Sequence, residues 1–386
     1  MTNPVYLDNA ATTWPKPEMV YQSMDEFFRK YAANPGRASH RMAIESERIV
    51  EGTRHTLARF FNLRDYKRLI FTLNCTDALN IAIKGVVRQG DHIITSTLEH
   101  NSVSRPLARL EQEKFIAVSR VKPDDEGFIH PEEIEKQITQ KTRLVVMLHA
   151  SNVLGNIQDI GSVGALCRKK NLLFLVDAAQ TAGVISIDME KDQVDLLAFP
   201  GHKSLFGPPG TGGLCIGERA GELAYWREGG TGSDSTSLVQ PEGYPQRLEG
   251  GTVNFVGIAG LNAGINFIIK EGPDNIRNHE IELTALLLQG LAKNKNITVY
   301  GTDNPKKRVS LASFNLKDTK WDPASLGSML DQSRGILVRT GHHCAGSALE
   351  GMIDSSKETI RVSPGYFNRI EDISFCIDSI HELMVS

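Results

Sequence analysis

The sequence lacks an excess of charge of one sign and a long apolar run. Its 386 residues include 43 lysines and arginines against 46 aspartates and glutamates, so the formal net charge is only −3. No lysine- or arginine-rich block is present, which argues against a nucleic-acid or an acidic-membrane partner. No apolar stretch approaches the roughly 20 residues that a transmembrane helix needs. The first residues also lack the basic and apolar regions of a signal peptide. We therefore expect a cytoplasmic protein with no membrane or nucleic-acid partner.

Cysteine is scarce, and the five cysteines form no CxxC pair. An odd number without such a pair argues against a disulfide framework and against a structural zinc site. A small buried thiol is the ordinary alternative for each of them. Only Cys344 has neighbours that suggest another role, because it follows His342 and His343 in a glycine-containing segment. Adjacent side chains rarely reach one ion together, so we expect no metal there.

The order of apolar and amphipathic segments predicts an α/β fold. From about residue 68 to residue 217, short apolar runs alternate with amphipathic segments, as strands alternate with crossover helices. Several runs are apolar throughout, which is typical of a mostly parallel sheet covered on both faces. The predicted strands are 69–72, 92–96, 143–149, 172–176, 194–198 and 213–216, with a helix at 77–88.

The length and a change of pattern predict two domains. A single core rarely grows to 386 residues. After about Gly272 the pattern changes to a helix at 276–291, short strands and a closing helix at 370–384. We predict a large α/β domain of residues 16–272. Residues 1–15 and 273–386 would form a smaller α+β domain, completed by an N-terminal strand at 5–7.

Polar residues stand where two predicted strands end. The run 172–176 is followed by Asp177, and the run 194–198 is followed by Gly201-His-Lys203. Taken alone, Asp177 fits the N-cap of a helix equally well. Lys203 could instead bind phosphate, but no GxxxxGK[ST] motif is present. Ligands bind at the carboxyl ends of the strands in such a sheet. Pyridoxal phosphate requires a lysine for its aldehyde and an acid for its pyridinium nitrogen. Lys203 and Asp177 together therefore indicate this cofactor more specifically than either residue alone.

Five segments resemble the cysteine desulfurases and selenocysteine lyases of the class V aminotransferase family, which are fold-type I pyridoxal-phosphate enzymes. The resemblance extends from Tyr6 to about Asn368, with the motifs in the family's order. The last motif resembles the type II branch, as do the longer stretches at 230–235 and 248–252. The five segments are Tyr6-Leu-Asp-Asn-Ala-Ala-Thr-Thr13, Ser151-Asn-Val-Leu-Gly155, Val176-Asp-Ala-Ala-Gln180, Gly201-His-Lys203 and Arg339-Thr-Gly-His-His-Cys344.

The resemblance implies a set of residues around pyridoxal 5′-phosphate. Lys203 would carry the cofactor as a Schiff base, and Asp177 would pair with its pyridine nitrogen. Gln180 would hydrogen-bond its phenolic oxygen, and His100 would stack on the ring as part of the catalytic group. The residues implied to bind the phosphate are Thr76, His202 and, reaching across a homodimer, Thr252.

The resemblance also implies how substrate is held. Asn152 and Arg361 would bind the substrate carboxylate, and an arginine suits this because its fork binds both oxygens. The turn from Asn34 to His40 differs in detail from the family's pattern, yet Arg37 and His40 match substrate-binding positions. Cys344, a thiol near histidines in a glycine-containing loop, is interpreted as the nucleophile.

One departure from the family stands beside the cofactor lysine. Where the family usually has Ser or Thr two residues before His-Lys, this chain has Pro200. Proline offers neither a hydroxyl nor an N–H, so we expect one phosphate contact to be missing.

The expected function is desulfuration of L-cysteine to L-alanine, with the sulfur held on Cys344 as a persulfide and then passed to an acceptor protein or a small thiol. Selenocysteine lysis or another class V reaction is the first alternative, since it needs Lys203 and Asp177 but not Cys344. A sulfur relay or scaffold without cofactor is the second. The intact Lys203, Asp177, Gln180 and Cys344 argue against that last role.

Overall fold

The computed structural model describes residues 4–36, 40–233, 236–317, 321–345 and 358–385. Within them no helix has the length and apolar composition to cross a bilayer. The strands are β1 (Val5–Tyr6), β2 (Leu69–Thr72), β3 (His92–Ser96), β4 (Ala117–Val121), β5 (Thr142–Leu148), β6 (Leu173–Asp177), β7 (Leu196–Pro200), β8 (Gly212–Ile216), β9 (Ile297–Val299), β10 (Ala312–Leu316), β11 (Ile336–Leu337), β12 (Arg339–Gly341) and β13 (Thr359–Val362). The helices are α1 (Glu18–Tyr31), α2 (Arg41–Phe60), α3 (Cys75–Val86), α4 (Asn101–Gln112), α5 (Pro131–Lys136), α6 (Ile160–Lys169), α7 (Phe255–Glu271), α8 (Pro273–Ala292), α9 (Pro323–Arg334) and α10 (Ile370–Val385).

A seven-stranded sheet in the order β2-β8-β7-β6-β5-β3-β4 forms the centre of the molecule. Strands β3 to β7 run parallel, and β8 runs antiparallel to both of its neighbours. Successive residues of β5 face opposite sides of the sheet, as strand geometry requires. Leu144 and Val146 join one buried apolar cluster, whereas Val145 and Met147 join another. The predicted mixed, mostly parallel α/β fold is confirmed.

The observed strands differ from the predicted ones at the edge of the sheet and at the ends of two strands. Strand β4 lies at the sheet edge, and only Val121 of its five residues is buried. Because Ser119 and Arg120 interrupt its apolar residues, its sequence carries no continuous apolar signal. Strands β6 and β7 extend further than predicted, to Asp177 and Pro200, because the backbone ladder continues into the polar residues. Asp177 is therefore part of the sheet itself, whereas Lys203 lies in the turn that follows β7.

A second apolar core lies among the C-terminal elements. Strands β12, β13, β10 and β9 form an antiparallel sheet, and β1 pairs in parallel with β11. Leu7 packs in the same apolar cluster as Leu283 and Ile360. The N-terminal strand thus joins the C-terminal elements, as the sequence suggested. Gly272, at φ 85°, separates α7 from α8, and the division of the chain at that residue stays a prediction.

Candidate active site

A cavity of about 150 Å³ lies beside the carboxyl ends of β6 and β7. Strand β6 brings Asp177 to it, the turn after β7 brings Lys203, and the first turn of α3 brings Thr76. The predicted site residues that line this cavity are Thr76, His100, Asn152, Asp177, Gln180, His202 and Lys203.

Lys203 stands in a turn whose backbone is tightly enclosed. A Cβ at Gly201 would lie 2.2 Å from Thr211 Oγ1, so only glycine fits there. The pKa of the Lys203 amine is lowered to about 8, chiefly by burial; the nearby Arg361 charge adds to this lowering and the Asp177 charge opposes it. About a tenth of such amines are neutral at pH 7, which gives Lys203 the nucleophilic form that a Schiff base needs.

Asp177 has one carboxylate oxygen engaged by the protein. Its Oδ1 accepts hydrogen bonds from the Ala179 N–H at 2.9 Å and from Cys75 Sγ at 3.4 Å. Burial, with the Asp177 charge adding to it, raises the pKa of the Cys75 thiol well above its ordinary value, so that thiol remains a donor. Among the described contacts Oδ2 has no such partner, and Asp177 lines the cavity. The carboxylate is thus oriented by two donors on one side and is open to the cavity on the other.

Two helix starts meet at the cavity and are linked through Ser102. The side chain of Asn74 caps α3 by accepting from the Asp77 N–H, and the side chain of His100 caps α4 by accepting from the Ser102 N–H. Ser102 Oγ lies 2.7 Å from Thr76 Oγ1 and 2.9 Å from His100 Nδ1. Burial lowers the pKa of His100, so the ring is neutral at pH 7. Helix starts supply N–H groups that suit a phosphate.

Gln180 and His202 complete the wall. Gln180 Nε2 donates to the Ala10 carbonyl at 3.1 Å, which ties the N-terminal segment to the cavity. Burial lowers the pKa of His202 to about 4, with the Lys203 charge adding to the effect. Pro200 also lines the cavity and has no N–H to offer.

Asn152 and Arg361 are in contact, but only Asn152 lines the cavity. Arg361 Nη1 donates to the Asn152 carbonyl at 3.0 Å, and Arg361 Nη2 donates to Asp8 Oδ1 at 2.8 Å. Arg361 is 1% exposed, and its Nε has no partner among the described residues. Binding of a carboxylate by Arg361 therefore needs a change from the arrangement seen in this structure.

Cys344 lies outside the cavity lining and is the exposed cysteine, whereas the other four are buried. Arg339 Nη2 donates to Cys344 Sγ at 3.4 Å. His343 and Cys344 have φ values of 51° and 61°, and the Ala345 N–H donates to the His342 carbonyl at 3.1 Å. This tight turn, residues 342–345, is named the Cys344 turn below. It presents a thiol beside a guanidinium.

Thr252 and His40 stand apart from the cavity. Thr252 is exposed and lines a different depression, together with Asp77 and Trp226. His40 caps α2, where its Nδ1 accepts from the Ala43 N–H at 3.3 Å. Arg37 lies outside the described residues, as do part of the stretch 230–235 and the residues that follow the Cys344 turn.

Sequence reasoning gave no role to four residues around the site. Cys75 and Ser102 act through hydrogen bonds, and Arg339 acts through its contact with Cys344. Glu99 is fully buried, and burial raises its pKa to about 8 while its Oε1 accepts from Ser96 Oγ at 2.6 Å. Arg339 stood inside the last quoted motif, so its position was a usable signal. Nothing in the sequence indicates that Glu99 is buried.

The family model for the class V aminotransferases matches residues 5–375. A probable cysteine desulfurase from Methanothermobacter thermautotrophicus is 35% identical over 384 residues, which cover 98% of this chain and 94% of the relative. The chain belongs to the class V aminotransferase family.

Solved structures of the same kind also match nearly all of the chain. The apo cysteine desulfurase from Thermococcus onnurineus superposes with a TM-score of 0.90 at 32% identity, covering 99% of this chain and 95% of that one. The cysteine desulfurase CsdA from Escherichia coli, in an S-sulfonic acid form, gives 0.88 at 25% identity with the same coverage. The family predicted from the motifs, and the fold that it implies, are thus confirmed. The roles of the individual site residues stay predictions.

Proposed function

We propose that this protein is a pyridoxal-phosphate-dependent cysteine desulfurase in which Cys344 receives the sulfur of L-cysteine. The observation that carries the proposal is the combination of a buried lysine and aspartate in one cavity with an exposed thiol on a turn joined to that cavity. The relatives and solved structures described above, which are named cysteine desulfurases, support the same activity.

The residues of the cavity fit pyridoxal phosphate. Lys203 offers an amine whose pKa is lowered to about 8 by burial, and Asp177 offers an oriented carboxylate oxygen. Thr76 and the N-terminus of α3 would hold the phosphate, together with His202. Gln180 would donate to the phenolic oxygen, since its amide has a second N–H beside the one given to Ala10. His100, neutral because burial lowers its pKa, would stack on the ring.

The first half of the reaction needs a base and an acid partner. When bound, pyridoxal phosphate supplies an electron sink for a carbanion at the substrate Cα. Lys203 would remove the Cα proton and hold it at Nζ, which a lysine with a lowered pKa can do near neutral pH. Asp177 would keep the pyridine nitrogen protonated. Asn152 and Arg361 would hold the substrate carboxylate.

The second half needs a nucleophile for sulfur. The Cys344 thiolate would attack the substrate sulfur, so that a sulfur–sulfur bond forms and the bond between sulfur and Cβ breaks. A proton returns to the carbon skeleton, which leaves as L-alanine. L-Cysteine and the Cys344 thiol thus become L-alanine and a Cys344 persulfide, with no net oxidant or reductant. Arg339, whose guanidinium donates to the sulfur, would help to orient the Cys344 side chain.

We also propose a homodimer whose sulfur is passed to an acceptor protein or a small thiol in the cytoplasm. Leu238 is fully exposed and Val239 is 71% exposed, as residues that a second subunit covers would be in a single chain. Thr252 lines a depression outside the cavity of its own chain, which suits a phosphate contact in the other subunit. All five cysteines are free thiols, as in a reducing compartment.

A product assay with L-cysteine and with L-selenocysteine tests the activity. The proposal predicts equal amounts of L-alanine and transferable sulfur from L-cysteine. A selenocysteine lyase would give alanine and selenide from L-selenocysteine and almost nothing from L-cysteine. Formation of a keto acid, or no turnover with either substrate, would contradict the proposal.

A further inference from the structure

The Cys344 turn is held to the cavity wall by two hydrogen bonds from outside the turn. Asn152 Nδ2 donates to the His343 carbonyl at 2.6 Å. The backbone N–H of Asn101 donates to the Cys344 carbonyl at 3.0 Å. The two carbonyls that flank the Cys344 N–H and Cα are therefore fixed by residues beside the cavity, one next to β5 and one at the start of α4.

The backbone of the turn needs such support. Two consecutive residues with positive φ, closed by a hydrogen bond between Ala345 and His342, resemble a type I′ turn. Glycine, asparagine and aspartate are favoured at the two central positions of that turn, because other side chains clash there. Here they are His343 and Cys344. Contacts from outside the turn must offset that cost.

Among the described residues, Asn152 is the one whose side chain donates to the backbone of the turn, whereas the other polar side chains contact its side chains. His343 is buried, and its ring Nε2 lies 2.8 Å from Thr359 Oγ1 while its Nδ1 has no partner among the described residues. Ala345 packs in the large apolar cluster beneath the central sheet. The bond from Asn152 is short, and Asn152 is only 7% exposed, so water competes little for it.

The amide of Asn152 can serve two partners at once. It has two N–H groups, and one of them is given to His343. Asn152 lines the cavity, so the second N–H remains for a ligand there. A carboxylate bound at that point and the Cys344 turn would then be held by the same side chain.

We propose that Asn152 is a positioning residue for Cys344 as well as a substrate-binding residue. It fixes the Cys344 turn before substrate arrives, so that the thiol is already directed when the carboxylate is bound. The consequence for sulfur transfer rests on the proposed function. The positioning itself does not, because it concerns the protein without substrate.

Alkylation of Cys344 by iodoacetamide in the substrate-free holoenzyme tests this directly. Cys344 is the exposed cysteine and the other four are buried, so the rate reports on this thiol. Asn152→Leu keeps the volume of the side chain, adds no charge and removes the donor. Asn152→Ala removes the donor and the volume. Asn101→Ala is the matched control, since its anchoring N–H belongs to the backbone and remains.

We expect both Asn152 variants to alkylate about fivefold faster than the wild type, which is what the net loss of one hydrogen bond gives. Asn101→Ala should alkylate at the wild-type rate. If both Asn152 variants keep the wild-type alkylation rate while KM for L-cysteine rises, Asn152 serves the substrate alone and the proposal is wrong. Loss of the fold in both variants, seen by thermal unfolding, would also overturn it, because Asn152 would then support the core. Absence of alanine formation by the wild type would instead overturn the proposed function and leave the alkylation result valid.

Discussion

The cofactor cavity and the Cys344 turn are built in different ways. Asp177 is the last residue of the buried strand β6, and Lys203 lies in the enclosed turn that follows the buried strand β7. Cys344 follows the short strand β12 and lies in a turn with positive φ, fixed by single hydrogen bonds from Asn152 and Asn101. The cofactor cavity thus lies at the end of the central sheet, and the Cys344 turn is held beside the cavity by hydrogen bonds.

That difference matches two separate chemical demands. Proton removal at Cα needs an amine and a carboxylate at constant positions, which strand ends provide. A sulfur nucleophile must approach the substrate and afterwards present its persulfide to an acceptor, which an exposed thiol can do. We infer that substitution of Lys203 or Asp177 removes all chemistry, whereas substitution of Cys344 removes only sulfur transfer.

Lys203→Ala should have the largest effect. Desulfuration should fall by at least about 10³-fold, because general acid–base catalysis and covalent attachment of the cofactor are lost together. The visible absorbance of the cofactor bound to lysine should disappear. Lys270→Ala, at an exposed lysine of α7, is the matched control and should keep both. An unchanged spectrum in Lys203→Ala would show that the cofactor is attached to another lysine.

Cys344→Ala should separate sulfur transfer, which needs the Cys344 turn, from proton removal at Cα, which needs only the cavity. Alanine formation from L-cysteine should fall by about 10²-fold or more, since no other described thiol is exposed. Exchange of the Cα proton with deuterium from solvent should continue, because Lys203 and Asp177 are intact. The measurement is alanine by amino-acid analysis and deuterium content by mass spectrometry on one sample. Desulfuration by this variant at the wild-type rate would show that Cys344 takes no part in sulfur removal.

The lowered pKa of Lys203 predicts how the apoenzyme takes up pyridoxal phosphate. Only the neutral amine attacks an aldehyde, and burial lowers the pKa of this amine from 10.5 to about 8. The rate should rise about tenfold between pH 6 and pH 7 and level off above about pH 8. Absorbance after mixing measures it. A rate that still rises tenfold per pH unit at about pH 9 would indicate an unburied lysine.

Pro200→Ser should give the smallest effect. Pro200 lines the cavity and has no donor, so a serine hydroxyl there should hold the phosphate about fivefold tighter, by about 1 kcal/mol for one hydrogen bond. The dissociation rate of the cofactor measures this. Pro200→Ala is the control without a hydroxyl. Weaker retention in both variants would indicate that the proline itself is needed where β7 ends.

The sequence was sufficient for six of the seven strands of the central sheet, because their signals are local. Apolar runs followed by Asp177 and by Gly201-His-Lys203 indicated both the strands and the residues at their ends. The edge strand β4 was not predicted, since the half-buried Ser119 and the exposed Arg120 follow no apolar pattern. Motifs inside single segments therefore identified most of the cavity wall.

Contacts between distant segments were not predictable in the same way. Asn152 and His343 are 191 residues apart, and Arg361 and Asp8 are 353 residues apart. The second bond explains why Arg361 lies beside the cavity and not in its lining. Similarly, the sequence around Cys75 gives no sign that its thiol donates to Asp177, because that pairing depends on α3 and β6 lying side by side.

Mass analysis of the Cys344 peptide after reaction tests the central claim most directly. The protein is mixed with one equivalent of L-cysteine in the absence of an acceptor, alkylated and digested. We predict that the wild-type peptide containing Cys344 becomes heavier by one sulfur atom, in an amount equal to the L-alanine formed. The same peptide from Lys203→Ala should stay unchanged. Alanine formed in full with no extra sulfur on Cys344, or with the sulfur on another cysteine, would contradict the account.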